Sequence, residues 1–371
     1  MLFNSLEFLI FFPVVWLAHV ALPVRTRWLL LLVASYVFYA AWQPLYGLLI
    51  LVSTVVDYVV AQQVAAAATR RRRRGWLALS LTANLGMLFF FKYYNWLNGT
   101  LSAMVGPAWP MPDADVVLPV GISFYTFQTL SYTVDVYRGQ QRPEGHFGRF
   151  ALYVAYFPQL LAGPIERASK LLPQLSEPRP FDPMRLASGL RLAGWGMFKK
   201  VVVADRLAAV VDIVYADPAA FGGFAHLVAL VFFSIQVYCD FSGYSDIAIG
   251  IARTLGVDLI DNFDLPYRSR SMTLLWRRWH ISMTLWFRDY VYRPLGGSWG
   301  GPFTTARNLM IVMVLSGVWH GAKWSLVVWG VAHGTILIAE RFGKPWWQLV
   351  CRTTGLARVP GLLAAMEWSW T

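Results

Sequence analysis

Long apolar runs alternate along this chain with short stretches rich in Arg, Lys, Pro, Gly or Asp. The runs fall at roughly 5–22, 28–42, 46–65, 76–97, 117–137, 149–163, 186–203, 205–216, 225–250, 307–320 and 324–342. A helix needs about 20 apolar residues to cross a bilayer, so the longer runs predict spans and the shorter ones half-length, re-entrant or bundle-buried helices. No internal repeat and no soluble appendage interrupts the pattern. Residues 1–371 are therefore read as one all-α, polytopic membrane domain, with 343–371 forming a tail or the start of a further helix.

Composition agrees: 57% of residues are hydrophobic, only 14% are charged, and mean hydropathy is +0.47, more apolar than a soluble core requires. The opening "MLFNSLEFLIFFPVVWLAHVAL" lacks a basic n-region and a small-residue cleavage site, so it reads as a retained first span. Cys239 and Cys351 are too few and too far apart to form a disulfide framework.

A net charge of +12 would point to nucleic acid in a soluble protein. Here the cations lie between apolar runs, which fits membrane orientation and anionic lipid, and no nucleic-acid partner is expected. Arg25 and Arg27 follow the first run, Arg70 to Arg74 the third and Arg138 the fifth, while Tyr93 to Tyr137 contains no Lys or Arg. Odd-numbered spans are thus expected to end inside, with the N-terminus outside. The Pro-rich stretch 166–185 and the basic stretch 254–293 are expected on the inner side.

Ionisable groups inside a bilayer are expensive, so each is a candidate for function or for a buried partner. His320 interrupts an apolar run between Trp319 and Gly321, a small residue that lets a backbone or substrate approach; it either bonds a neighbouring helix or does chemistry. His280 lies in "LLWRRWHISMTLWFRDYVYRPLGG", which predicts an amphipathic helix with Trp276, His280, Met283 and Phe287 on one face and Arg277 and Arg288 on another. His333 reads as structural. In "QVYCDFSGYSDIAIG", Asp240, Tyr244 and Asp246 enter an apolar helix. Asp246 and Arg253 share a helical face, so an internal ion pair and a polar tunnel lining are both open. Gln128 sits similarly within "PVGISFYTFQTLSYTVDVY", as tunnel lining or interhelical glue.

No Walker A pattern, GxGxxG, GxSxG elbow or HExxH is present, and His320 and His333 lack a carboxylate at ligand spacing, so no metal is expected. Histidine remains, alone or paired. Near neutrality it can take a proton from an attacking hydroxyl, as acyl transfer requires.

Five stretches occur in order: "LPVGISFYTFQTLSYTVDVYRG", "FPQLLAGPIER", "DFSGYSDIAIGIARTLG", "NFDLPYRSRSMTLLWRRWHISMTLWFRDYVYRPLGG" and "GVWHGAKW". Together they resemble the membrane-bound O-acyltransferase family, in particular its bacterial alginate O-acetyltransferase membrane-subunit branch, from Met1 to about Phe342. The resemblance implies a ring of about ten to eleven tilted or partial helices around a central tunnel in the bacterial inner membrane. It implies His320 and His280 as catalytic histidines, with Trp319, Trp279, Asp240, Tyr244, Asp246 and Gln128 as tunnel-lining candidates. No cofactor is implied: acetyl-coenzyme A or another acyl thioester would be the donor substrate, with Arg268, Arg270, Arg277 and Arg278 as candidates for its phosphates. Acetyl would pass to an exopolysaccharide or cell-wall hydroxyl, directly or through a periplasmic acetyltransferase within a polysaccharide machinery. A D-alanyl transferase of the same family and a non-catalytic transporter or scaffold of a secretion complex are the alternatives. Family members usually continue through further helices, so the chain is expected to be a shortened form.

Overall fold

The computed structural model describes residues 1–41, 43–106, 109–177 and 179–354. Its helices in order are α1 (Leu6–Ala21), α2 (Arg27–Ala40), α3 (Tyr46–Ala66), α4 (Arg70–Leu88), α5 (Tyr94–Val105), α6 (Ile122–Tyr137), α7 (Phe147–Ala155) and α8 (Phe157–Leu160). Then follow α9 (Ala168–Ser176), α10 (Pro183–Met197), α11 (Asp205–Ala216), α12 (Gly223–Thr254), α13 (Met272–Arg278), α14 (Ile281–Phe287), α15 (Gly301–His320) and α16 (Trp324–Thr353). No strand occurs among the described residues. Wide π turns at Phe89–Tyr93 and Phe198–Ala204 join α4 to α5 and α10 to α11, and a third, Arg288–Tyr292, follows α14.

The apolar runs are mostly recovered as helices, with three corrections. The runs at 186–203 and 205–216 belong to one continuous helix, because the π turn absorbs the break that their polar junction suggested. The run at 149–163 is divided at Tyr156, ahead of Pro158, whose ring cannot continue the preceding turn. The last helix extends to Thr353, so its end belongs to α16; residues 355–371 of the expected tail lie outside the described residues.

Tyr46–Ala66, Arg70–Val105, Gly223–Thr254 and Trp324–Lys344 are long and apolar enough to cross a membrane. Many large apolar side chains point outward, among them Leu9, Ile10, Val14 and Leu17 of α1. A soluble surface rarely carries so much exposed hydrocarbon, whereas a bilayer solvates it. This is a multi-pass membrane protein.

The chain forms two compact units, one of Met1–Asn84 and Val120–Asp261, the other of Leu85–Pro119 with the residues from Asn262 onward. In the first, α10 and α12 meet through paired glycines. A Cβ on Gly189 would stand 2.6 Å from Gly250 O, and one on Gly196 2.5 Å from Gly243 O. Small residues let backbones approach where lipid offers no hydrophobic drive for association.

Three carboxylates that intrude into the helices of this unit are matched. Asp57 of α3 has no accessible surface and accepts bonds from Ser80, from Asn84 at 2.8 Å and from Thr133 at 3.1 Å. Lys199 bonds Asp246 at 2.7 Å and Ser242 at 3.0 Å; Lys200 bonds Asp240 at 2.6 Å and Asp205 at 2.8 Å. The Asp246–Arg253 pair, one of the two readings left open, is not the one formed: the π turn swings Lys199 to Asp246 from the neighbouring helix.

Outside the helices, Asp258 bonds Arg179 at 2.6 Å and Arg185 at 2.7 Å. Partial burial opposes its ionisation, but bonds from Arg185 and Arg179 outweigh burial and hold the carboxyl below its ordinary value. A depressed carboxyl contributes stability that is present above its unfolded pKa of about 4 and lost as pH falls through the lower folded value. The groups are half exposed, so the contribution is at most about 1 kcal/mol. Asp258→Asn should lower the thermal midpoint slightly at pH 7, and the difference from wild type should vanish on acidification below about pH 4; calorimetry in detergent across pH checks this.

Candidate active site

The second unit assembles its chemistry from five segments. The π turn Phe89–Tyr93 and α13 to α16 each contribute side chains. α15 and α16 form a hairpin closed by residues 321–323 and pressed together through glycine. A Cβ on Gly317 would lie 2.1 Å from Leu326 O, and one on Gly330 2.5 Å from Met313 O. The close approach expected at Gly321 is thus made one turn earlier: a Cβ on Gly321 would meet only the flexible tip of Leu326.

That hairpin places rings in a connected cluster. His320, the last residue of α15, lies 5.1 Å from Trp319 and 5.4 Å from Trp329 between ring centroids. Trp329 meets His333 at 4.5 Å, and Trp276 of α13 meets Trp329 at 5.6 Å and His333 at 5.4 Å. His280 lies 5.8 Å from Trp319. His333, read as structural, belongs to the same cluster.

The two family-implied histidines differ in access. His320 is exposed, whereas His280 has no accessible surface. The amphipathic helix expected through His280 is also corrected. α13 stops at Arg278, and α14 starts at Ile281, with His280 between them at φ +43°, a left-handed conformation costly for a residue bearing a Cβ. Asn262 holds this kink: its carbonyl accepts from Ile281 N at 3.0 Å, and its side chain accepts from Ser282 N at 3.1 Å and Ser282 Oγ at 2.8 Å. Trp276, Met283 and Phe287 are buried as expected, on two short helices instead of one.

The end of α15 is held from the π turn. The last turn of a helix leaves carbonyls without intrahelical partners. Tyr93 donates its hydroxyl to Val318 O at 2.9 Å, and Lys92 donates Nζ to Trp319 O. Lys92 Nζ also lies 5.6 Å from the centre of the Trp319 ring and is close enough to His320 to act on it electrostatically. Neither residue had been singled out in the sequence, although a lone Lys in "FFFKYY" is an intramembrane cation of the kind that marks sites.

Arg268, Arg270 and Arg278 line an open recess of about 340 Å³ with Asp264, Leu265 and Leu274. Arg277 is exposed but does not line it. Leu274 and Arg278, one turn apart, face the recess, while Trp276 reaches the ring cluster from the opposite side of the same helix. Trp279 packs on Phe263 at 5.1 Å and Tyr267 at 6.0 Å.

The remaining tunnel-lining candidates belong to the first unit and are engaged there. Asp240 and Asp246 pair with lysines as described, Tyr244 packs on Phe3 at 4.9 Å, and buried Gln128 donates to Tyr153 O at 2.6 Å. Among the described residues, no three of His, Cys, Asp and Glu gather to hold a metal ion.

The fold, helical throughout the described residues and with four helices long and apolar enough to span a bilayer, defines a class: polytopic helical membrane proteins. The model of the membrane-bound O-acyltransferase family matches residues 145–370, and the chain belongs to that family and is an O-acyltransferase. It is 42% identical over 347 residues to "Probable alginate O-acetylase" of Azotobacter vinelandii, covering 92% of this chain and 69% of that protein. It is 33% identical to the peptidoglycan O-acetyltransferase of Helicobacter pylori, over 92% of this chain and 70% of that protein. The teichoic acid D-alanyltransferase of Bacillus subtilis is 24% identical over 73% of this chain and 72% of that protein.

Replacing Lys92 by Met should leave Trp319 O without its donor in an apolar setting, an expected cost of about 1–3 kcal/mol. Amide exchange at Val318 to Gly321 should then rise and acyl transfer fall, whereas Tyr93→Phe, which removes a neutral bond, should produce a smaller change in both. Hydrogen-exchange mass spectrometry beside a transfer assay checks the order.

Proposed function

We propose that this protein carries acetyl from a thioester donor, acetyl-coenzyme A, on the inner side of the bacterial inner membrane to a polysaccharide hydroxyl on the outer side, directly or through a periplasmic acetyltransferase. The observation that carries this reading is His320, an exposed residue at a helix end whose ring is flanked by tryptophans. The alginate and peptidoglycan O-acetylating relatives support acetyl as cargo and a saccharide as acceptor. The D-alanyl transferases match at lower identity and leave that cargo as the second reading.

In the proposed reaction His320 takes the proton of the acceptor hydroxyl, whose oxygen attacks the thioester carbonyl. The carbon–sulfur bond breaks and the departing thiolate takes up a proton. The flanking indoles restrict water, which limits hydrolysis of the donor. His280, enclosed behind Trp319, acts by fixing Trp319 and the end of α15 instead of touching substrate. Arg268, Arg270 and Arg278 hold the donor's phosphates in the recess, where guanidinium forks match phosphate oxygens.

Membranes carrying His320→Ala, given labelled acetyl-coenzyme A, should insert the protein normally and lose transfer to polymer by about 10²–10⁴-fold. Near wild-type labelling would remove His320 from the base role, and incorporation of D-alanine in place of acetyl would support the second reading. Arg268→Gln with Arg270→Gln should raise the donor KM by about tenfold or more with a smaller change in kcat, as expected where two charge-assisted phosphate bonds are lost; initial-rate kinetics with purified protein in nanodiscs separates the two constants.

A further inference from the structure

The first unit contains a second concentration of cations, away from any role described so far. A narrow pocket of about 10 Å³ is lined by His19 at the end of α1, Arg27 at the start of α2, Arg179, Arg185 at the start of α10, and Arg253 at the end of α12. Asp182 also lines it.

The charges there do not balance. Asp258 serves both Arg179 and Arg185, while an oxygen of Asp182 is engaged by Met184 N at 2.8 Å as the cap of α10. Four guanidinium groups therefore face two carboxylates. Arg27 is 7% exposed and donates to two carbonyls, Leu22 O and Arg179 O, each at 3.2 Å; no carboxylate pairs with it among the described residues. Arg253, released from Asp246 because Lys199 takes that carboxylate, also has no carboxylate partner among them. His19 is 4% exposed, and its Nδ1 has no hydrogen-bond partner among the described residues.

A buried charge is tolerated when it is paired. The carbonyl end of α1 offers at most about half an elementary charge, which leaves most of Arg27 uncompensated. Among the described residues that partner is missing, and the pocket is left to an anion that they do not supply.

We propose that this pocket binds a phosphate group through one inserted oxygen. A volume of about 10 Å³ admits a single water-sized atom, so the phosphorus and the other oxygens rest at the mouth, against Arg185 and Arg253. Forked donors converging from several directions suit a tetrahedral oxyanion, and guanidinium sheds its hydration more readily than ammonium does. The phosphate comes from one of two sources of the same chemistry: the headgroup of an anionic phospholipid, or free phosphate. In the orientation proposed above, Arg27 marks the inner leaflet side, where both occur. The site is independent of the acyl-transfer reading, and its test does not use acyl transfer as a readout.

The full chain is reconstituted in phosphatidylcholine nanodiscs, in discs containing phosphatidylglycerol, and in phosphatidylcholine discs titrated with inorganic phosphate at constant ionic strength against chloride. Thermal midpoints are read for wild type, Arg253→Gln and Asp258→Asn. A headgroup site raises the wild-type midpoint in phosphatidylglycerol discs, and Arg253→Gln loses most of that rise. A free-phosphate site gives a saturable rise in phosphatidylcholine discs, with half-saturation about tenfold higher in Arg253→Gln, equivalent to about 1.4 kcal/mol. In either case Asp258→Asn, which removes the competing carboxylate, enlarges the ligand-dependent rise even though its starting midpoint is lower. A folding defect alone could not reverse sign in this way. Equal responses of all three proteins to both probes, or no response in any, would overturn the proposal.

Discussion

The site depends on how the last turn of α15 disposes of its carbonyl groups. In water, orphan carbonyls at a helix end are solvated at no structural cost. Within an apolar bundle they must be met by protein donors. Here the donors are the Tyr93 hydroxyl and the Lys92 ammonium, both delivered by one π turn, where the wider coil re-aims side chains along an otherwise continuous helix. Those two bonds, with Gly317 and Gly330 locking the hairpin, determine where the His320 ring stands. The histidine is positioned by groups that never need to touch a substrate.

The same demand for internal partners explains why polarity within an apolar helix is a poor guide to function by itself. Asp57, Gln128, Asp240 and Asp246 all interrupt apolar runs, and all are answered: the carboxylates by neighbouring donors or lysines, Gln128 by the carbonyl of Tyr153. His320 differs in standing at a helix end, exposed and among tryptophan rings, with no carboxylate or lysine bonded to it among the described residues. His280 shares the setting without the access, and its strained backbone is maintained by three bonds to Asn262. Strain kept in place by a dedicated clamp, directly behind the accessible ring, fits a supporting role.

Much of the fold was legible because bilayer thickness imposes a length scale on apolar runs, and the run boundaries followed it closely. What escaped depended on partners remote in sequence. The stretch around His280 has a good helical period, and nothing within it announces the break; Asn262, on the preceding loop, creates it. Asp246 and Arg253 share a helical face but stand two turns apart, and Lys199, carried there by the π turn of a neighbouring helix, takes the carboxylate instead. Lys92 carried a usable signal, a single cation in an aromatic run, but its partner Trp319 O is a backbone atom that no side-chain pattern reveals.

α13 adds a constraint on the proposed donor. One face of this short helix lines the arginine recess through Leu274 and Arg278, and the opposite face presents Trp276 to the rings around His333 and Trp329. A helix with its side chains is about 10–12 Å across, so in the proposed reaction phosphates in the recess and the rings met by Trp276 stand on opposite faces of a helix of about that width. An acyl phosphate keeps its reactive carbonyl one bridging oxygen from phosphorus and could not occupy both places. A thioester carried on a long flexible arm can anchor by its phosphates and still present its carbonyl on the far side of the helix. In the proposed reaction, a coenzyme- or carrier-borne thioester meets this spacing, for acetyl and D-alanyl cargo alike.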